Sequence, residues 1–280
     1  MVSEFFAYVA NLIIAALFHG GSISVPTSMK IAIYEVMPDR AVAGGTETNY
    51  AGYARQTVAC GASSKWDAPS TSSGRRVTKN TDLISFPTST EPTDTHHAAG
   101  YVVYDNTGTN PIFKDTHAFD ITPGFTPTLA PGALILGFTA ATPMSYDFQD
   151  AILNVFFRNT AFAALTSIVV AQKTTMPSKV DGSGGVSANY TGYAAQTLLS
   201  GAVTSDWDAA ESDVNGYRKC KNTALIVFGA ENSGAPQTLA GETLTSNGGL
   251  LLTLAAYSPT LPIALGTTFK HKAGELSIGF

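Results

Sequence analysis

The sequence predicts a mainly β protein built from two tandem, homologous domains of β-sandwich or barrel type, each preceded by one amphipathic helix. Three observations carry that expectation. The phrase NYAGYARQTV at residues 49–58 returns as NYTGYAAQTL at 189–198. Apolar residues at spacings of three and four open each half. The stretches in between are short apolar runs punctuated by Gly, Pro and Asn, the pattern of many short strands joined by turns.

The repetition extends well beyond one phrase. His19 and Arg158 are 139 residues apart, as are Thr27-Ser28 and Thr166-Ser167, and Met37-Pro38 and Met176-Pro177. The opening phrase recurs at 140 and Trp66-Asp67 recurs as Trp207-Asp208 at 141. Asn80-Thr81 and Asn222-Thr223, Phe86 and Phe228, and Gly137-Phe138 and Gly279-Phe280 all recur at 142. An order-preserving offset that drifts by only three residues is the signature of a duplication with small loop insertions. The period far exceeds the roughly 20–50 residues of solenoid units. The boundary falls at Thr142-Pro143, dividing the chain into 1–142 and 143–280.

Each copy begins with a helix pattern: Phe6, Val9, Ile13 and Leu17 in the first, Phe148, Ile152, Val155 and Phe156 in the second. The opening MVSEFFAYVANLIIAALFHG has Glu4 and no Lys or Arg before its apolar run, unlike a signal peptide. The run from Phe5 to Phe18 is also shorter than the about 20 residues of a membrane span, and it contains Asn11. Its counterpart YDFQDAILNVFFRN lies inside the chain, so both segments read as structural helices covering a sheet edge or open end. Strands are expected from Met29 to Ile33, Tyr53 to Val58, Gly100 to Tyr104, and at Asn80 to Phe86 with its counterpart Asn222 to Phe228. The loops at 42–48 and 181–188 are rich in glycine and small residues, and a hydroxyl-rich excursion surrounds each Trp.

Composition narrows the partners. The 280 residues are 44% hydrophobic and only 13% charged, against roughly 25% charged in an average soluble domain. A surface of Ser, Thr, Asn, Gly and Ala suits packing into an assembly. A net charge of -5 argues against a nucleic-acid partner, which would need clustered cations. Arg75-Arg76 with Lys79, and Arg218-Lys219 with Lys221, read as solvated hairpin charges. Cys60 and Cys220 fall at non-equivalent places and read as buried free thiols rather than a disulfide or zinc site.

The residues that could carry chemistry are few. His96, His97 and His117 with Asp94 form the one grouping with metal-ligand character, but adjacent strand residues point to opposite faces, which favours a structural reading. Asp206 and Asp208 flank Trp207 and read as loop charge. Gly182 to Gly185 reads as a flexible loop, and no nucleophile elbow or phosphate-cradling loop is present. No catalytic, metal or cofactor site is expected. Trp66 and Trp207 read as anchors of a long loop onto the sheets or a neighbouring subunit, with sugar stacking as the alternative. Tyr53 and Tyr193 read as sheet-packing rings with the hydroxyl at the rim. These four are the candidate interface residues.

The layout resembles a family of small tailed-phage virion proteins commonly labelled tail fibre-like. The resemblance rests on Gly52-Tyr53-Ala54-Arg55, the loop Trp66, the run Asn80 to Pro87, Thr95-His96 with Tyr101 to Asp105, and Ala130 to Leu134. The second copy keeps Tyr193-Ala194, Trp207, Asn222 to Phe228 and Ala273 to Leu276. It replaces the Arg by Ala195 and the Pro by Gly229, and TLAGETLTSNGG stands where the Thr-His strand would be, which puts that strand in question. The resemblance implies a non-enzymatic structural protein of the virion, assembled in the host cytoplasm. Capsid cement or decoration is the first reading, and a tail fibre or fibre-base adaptor is the alternative. The implied partners are capsid or tail proteins and further copies of the chain, a trimer first, with no nucleic acid and no membrane insertion.

Overall fold

The computed structural model describes residues 3–41, 43–61, 64–140, 142–158, 160–201, 205–212, 217–232 and 236–279; Val42, Asn159 and Phe280 lie outside them. Repeat 1 runs β1 (Ser3–Phe5), α1 (Ala7–Phe18), β2 (Ser28–Val36), β3 (Thr46–Glu47), β4 (Gln56–Ala59), β5 (Ser70–Ser72), β6 (Arg75–Lys79), β7 (Ile84–Ser85), β8 (His96–Tyr104), β9 (Pro111–Ile121), β10 (Thr128–Leu129) and β11 (Ile135–Gly137). Repeat 2 runs α2 (Tyr146–Arg158), β12 (Ser167–Thr175), β13 (Val186–Ser187), β14 (Gln196–Leu199), β15 (Glu211–Ser212), β16 (Arg218–Lys221), β17 (Ile226–Val227), β18 (Gln237–Ser246), β19 (Leu251–Ile263), β20 (Lys270–His271) and β21 (Ser277–Gly279).

The protein is mainly β and duplicated. The sandwich or barrel expected from the sequence resolves into three antiparallel sheets per repeat. The large sheet of repeat 1 has the order β1-β9-β8-β2-β3, with β4 also on β2; that of repeat 2 has β13-β12-β18-β19, with β14 on β12. Three-stranded sheets β11-β6-β5 and β15-β16-β21 correspond, as do the pairs β10-β7 and β17-β20. Where repeat 1 has β1 on β9, repeat 2 has, among the described residues, a single bridge from Met144 to Thr253 on β19.

Loss of the Thr-His phrase costs repeat 2 no strand. β18 takes the same place as β8, and both carry a bulge, between Ala98 and Gly100 and between Leu239 and Gly241. A Cβ at Gly100 would lie 2.3 Å from the Asp115 carbonyl oxygen, and one at Gly241 2.3 Å from that of Ala255. The glycine that allows this close approach is retained in both copies, whereas the His that gave the phrase its character is a side-chain matter.

Two strands are shorter than expected. After β6 the chain turns at Asn80, whose Nδ2 donates to the Asp82 and Ala130 carbonyls at 2.8 and 2.9 Å while Oδ1 accepts from Leu134 N at 2.9 Å. Asn222 makes the same three bonds, to Ala224 and Lys272 and from Leu276. Only Ile84–Ser85 and Ile226–Val227 are left to pair. Likewise Gly52 at φ +93 turns the chain before Tyr53, so β4 starts at Gln56.

The helices depart most from expectation. α2 is amphipathic, with Phe148, Ile152, Val155 and Phe156 all buried as its spacing predicts. α1 is apolar on nearly every side, and only Tyr8, Asn11, Leu12 and Ala15 are partly exposed. A helix of that kind must be covered all round. Phe6 is not part of its inner stripe; it lies before the first turn and packs with Tyr34 and Tyr104 on the outer face of the large sheet. One continuous apolar core runs from Phe5 to Ile278 through both repeats. No described helix is long and apolar enough to cross a membrane.

Candidate functional site: reciprocal helix seats

Each helix packs on its own large sheet and on the three-stranded sheet of the other repeat. α1 lies against β9 and β16, and α2 lies against β19 and β6. The chain thus has an internal pseudo-two-fold relation, and the tryptophans mark its two seats.

Trp66, 1% exposed, holds the C-terminal end of α2. Its ring centroid lies 4.7 Å from that of Phe157, its carbonyl accepts from Arg158 Nη1 at 2.9 Å, and Ser64 Oγ donates to the Phe157 carbonyl at 2.8 Å. Trp207, 3% exposed, holds the end of α1 in the same way. Its centroid lies 4.4 Å from that of Phe18, and Ser205 Oγ donates to the Phe18 carbonyl at 2.7 Å. Ser200 Oγ donates to the carbonyl of Leu17. Both serines also accept from the Trp amide two residues on, at 3.1 and 3.2 Å. The last helical carbonyls have no intrahelical donor, and these hydroxyls supply one. Both indole Nε1 atoms are buried without a hydrogen-bond partner among the described residues. A ring this enclosed presents no face to a sugar; the anchoring that these tryptophans perform is internal, repeat against repeat.

Arg76 is a second tie. Its Nε and Nη2 reach Asp150 Oδ1 and Oδ2 of α2, each at 2.6 Å, in a bidentate pair. The sequence reading of Arg75-Arg76 as solvated charge is therefore corrected for Arg76, which the fold turns toward the helix. On the opposite side Arg40 lies 4.9 Å from the Phe5 ring centroid and 4.1 Å from that of Tyr217 in repeat 2.

Tyr53 and Tyr193 solve a main-chain problem. β2 pairs with β4 up to Ile31 and with β3 from Tyr34, leaving the Ile33 amide between them. That amide donates to Tyr53 Oη at 3.0 Å, and the Gln172 amide donates to Tyr193 Oη at 2.9 Å. Burial pushes the Tyr53 hydroxyl well above its ordinary range, and Tyr53 donates to Glu47 Oε1 at 2.8 Å. Each ring stacks on the equivalent Phe86 or Phe228, with interplanar angles of 10° and 6°.

The histidines do not converge. His96 Nδ1 pairs with Glu35 Oε1 at 2.7 Å on the inner side, while exposed His97 pairs with Asp120 at 2.7 Å on the outer side, and His117 lies beside Tyr101 and Phe119. Asp206 Oδ2 accepts from Leu199 N at 2.7 Å and Asp208 Oδ1 from Lys221 N at 2.5 Å, so both carboxylates flanking Trp207 hold main chain. Cys60 and Cys220 are buried free thiols, with burial pushing Cys60 up to about 12. Among the described residues no three His, Cys, Asp or Glu side chains gather as a metal site. Sequence reasoning used Asn80 and Asn222 as repeat markers and strand starts but missed their hold on the main chain, and it passed over Ser64 and Ser205. The only available signal was their recurrence at 141 and 142 residues.

What this arrangement does chemically is hold two repeats in one body by ring contacts and main-chain bonds. A protein-family model described as Gp80, podophage GP4 fiber I protein gp80, matches residues 4–136 and again 143–279. No curated protein matches the chain.

Proposed function

The chain belongs to the Gp80 family of podophage fiber I proteins through both of its repeats, and on that premise we propose that it is a non-enzymatic structural component of a podophage virion, a compact body within a fibre or at its base. The family match over both repeats is the observation that carries this reading. The family description fits the tail fibre or fibre-base reading at least as well as capsid decoration, which the sequence alone ranked first. Low charge and a surface of small polar residues support a role that works by area and shape, with one standard interface burying about 1,600 Å².

Capsid decoration survives as a second reading on one observation. The two helices are 12 and 13 residues long, and the two repeats share one compact core with no shaft among the described residues. The division at 142/143 is, in this reading, a boundary between repeats that complete one another's core.

The test is localisation. Purified full-length chain, labelled, is offered separately to fibre-less tails and to empty shells, with light scattering of the chain alone to read whether it forms a trimer. Binding to tails supports the fibre-base reading; binding to shells alone transfers the protein to decoration; binding to neither overturns the structural assignment.

A further inference from the structure

The repeats part company on the outer face of the large sheet. In repeat 1, Phe6, Ala32, Tyr34, Val102 and Tyr104 form a separate buried cluster there. Arg55 covers it, with its guanidinium carbon 4.2 Å from the Tyr104 ring centroid and with Nε donating to Glu47 Oε1 at 2.8 Å. The Tyr34 and Tyr104 hydroxyls bond one another. Strand register assigns the equivalent positions in repeat 2 to Ala171, Lys173, Thr243 and Thr245, the 139-residue offset gives Ser145 for Phe6, and Arg55 and Glu47 become Ala195 and Ser187. Every aromatic ring of the cluster is gone, and the Arg with it. In their place is a cleft of about 330 Å³.

The chemistry of the cleft is specific. Thr243, 1% exposed, lines its wall, and its hydroxyl has no partner among the described residues. Thr245 lies two residues on, on the same face. Lys173 donates to Ser187 Oγ at 2.9 Å, leaving two ammonium hydrogens free to the cleft. Asp147, in the first turn of α2, and Asp181, whose Oδ1 already accepts from Ser183 N and Oγ at 3.1 and 2.8 Å, add carboxylates, and Leu251 adds an apolar surface. Two carboxylates against one ammonium disfavour an anion, and the ammonium disfavours a cation. Donors and acceptors with bonding capacity to spare beside an apolar patch match a neutral ring that carries hydroxyls on its edge and C–H groups on its face.

We propose that this cleft of repeat 2 binds one neutral sugar unit, with Lys173 and Thr243 donating to ring hydroxyls and Asp147 and Asp181 accepting from them. The site has no counterpart in repeat 1, because the aromatic cluster fills that space. The proposal stands on the cleft alone and holds for either virion location.

The experiment titrates isotope-labelled full-length chain with methyl glycosides of neutral hexoses and N-acetylhexosamines, and with the same rings carried on oligosaccharides. Amide shifts at Lys173, Thr243 and Thr245 are the readout. Saturable shifts at these residues support the proposal; response to oligosaccharides alone assigns the ligand to a glycan chain, and response to both admits free sugar. The double substitution Lys173→Tyr with Thr245→Tyr, which rebuilds the filling of repeat 1, should weaken binding at least about tenfold. The near-isosteric Thr243→Val keeps the wall packed and should also weaken it. No saturable shift with any glycoside, unchanged binding in both variants, or tighter binding of inorganic phosphate would overturn the proposal.

Discussion

The seat of α2 in repeat 1 and the seat of α1 in repeat 2 are the same device in different chemistry. Both use a Trp ring on a Phe ring and a serine hydroxyl on the last helical carbonyls. Only the first adds the Arg76–Asp150 ion pair and the Gln149 side chain, which accepts from the Arg76 amide at 3.3 Å. At the positions of Asp150 and Gln149, α1 has Asn11 and Ala10. Duplication therefore kept the ring contact and the main-chain cap in both seats and let the polar pair vary. Asn11 is partly exposed, as Asp150 is, so the two seats differ there in the side chain each helix carries and not in its burial.

Four measurements would break or sharpen that comparison. The largest effect is expected from Trp66→Ala and Trp207→Ala, each costing about 4 kcal/mol in denaturant unfolding because a large buried ring leaves a cavity. Equal losses would mark the seats as equivalent, and a loss under half that in either would show that its helix is held elsewhere. Trp66→Phe should cost much less, since the indole N–H it removes is already unpartnered.

Asn80→Ala and Asn222→Ala come next, each at about 3 kcal/mol, because each strips three bonds from buried main chain. Thermal melts of the two variants should agree to within a few tenths of that loss.

The pH dependence that Asp115 confers should have no counterpart in repeat 2. Desolvation raises Asp115 to about 6, while Ala255 takes the equivalent place in β19. A folded-state value above the ordinary 3.8 means that the native state binds the proton more tightly. Stability from this group is thus greatest below pH 4 and falls as pH rises through 6, by roughly 3 kcal/mol at most. Asp115→Asn should flatten that part of the stability–pH curve between pH 4 and 7 and raise the melting temperature at neutral pH; an unchanged curve would remove Asp115 from the account.

Arg76→Ala is expected to cost about 2 kcal/mol, between the values for exposed and buried pairs, whereas Arg218→Ala, facing Asn11 across a surface groove, should cost less than about 1. A double-mutant cycle of Arg76 with Asp150 measures the pair itself.

Much of the fold is legible in the chain. The drifting offset located both copies, the Trp-Asp and Asn-Thr recurrences aligned them, and the spacing of Phe148, Ile152, Val155 and Phe156 identified the buried face of α2. The strand β18 was put in question because its His was lost, although the bulge glycine that the backbone needs, Gly241, was in plain view. Arg76 was misread because a charge next to another charge looks solvated until the partner, 74 residues away, is known.

By itself the sequence determined that the chain is two copies of one β-rich unit, since periodicity, turn residues and recurrence are local properties written along the backbone. Only the tertiary structure decided that each helix completes the other repeat's sheet, and that one outer face is filled while its counterpart stands open. Those outcomes depend on which surfaces meet across more than a hundred residues of chain, and close packing in three dimensions, rather than the order of residues along a strand, selects them.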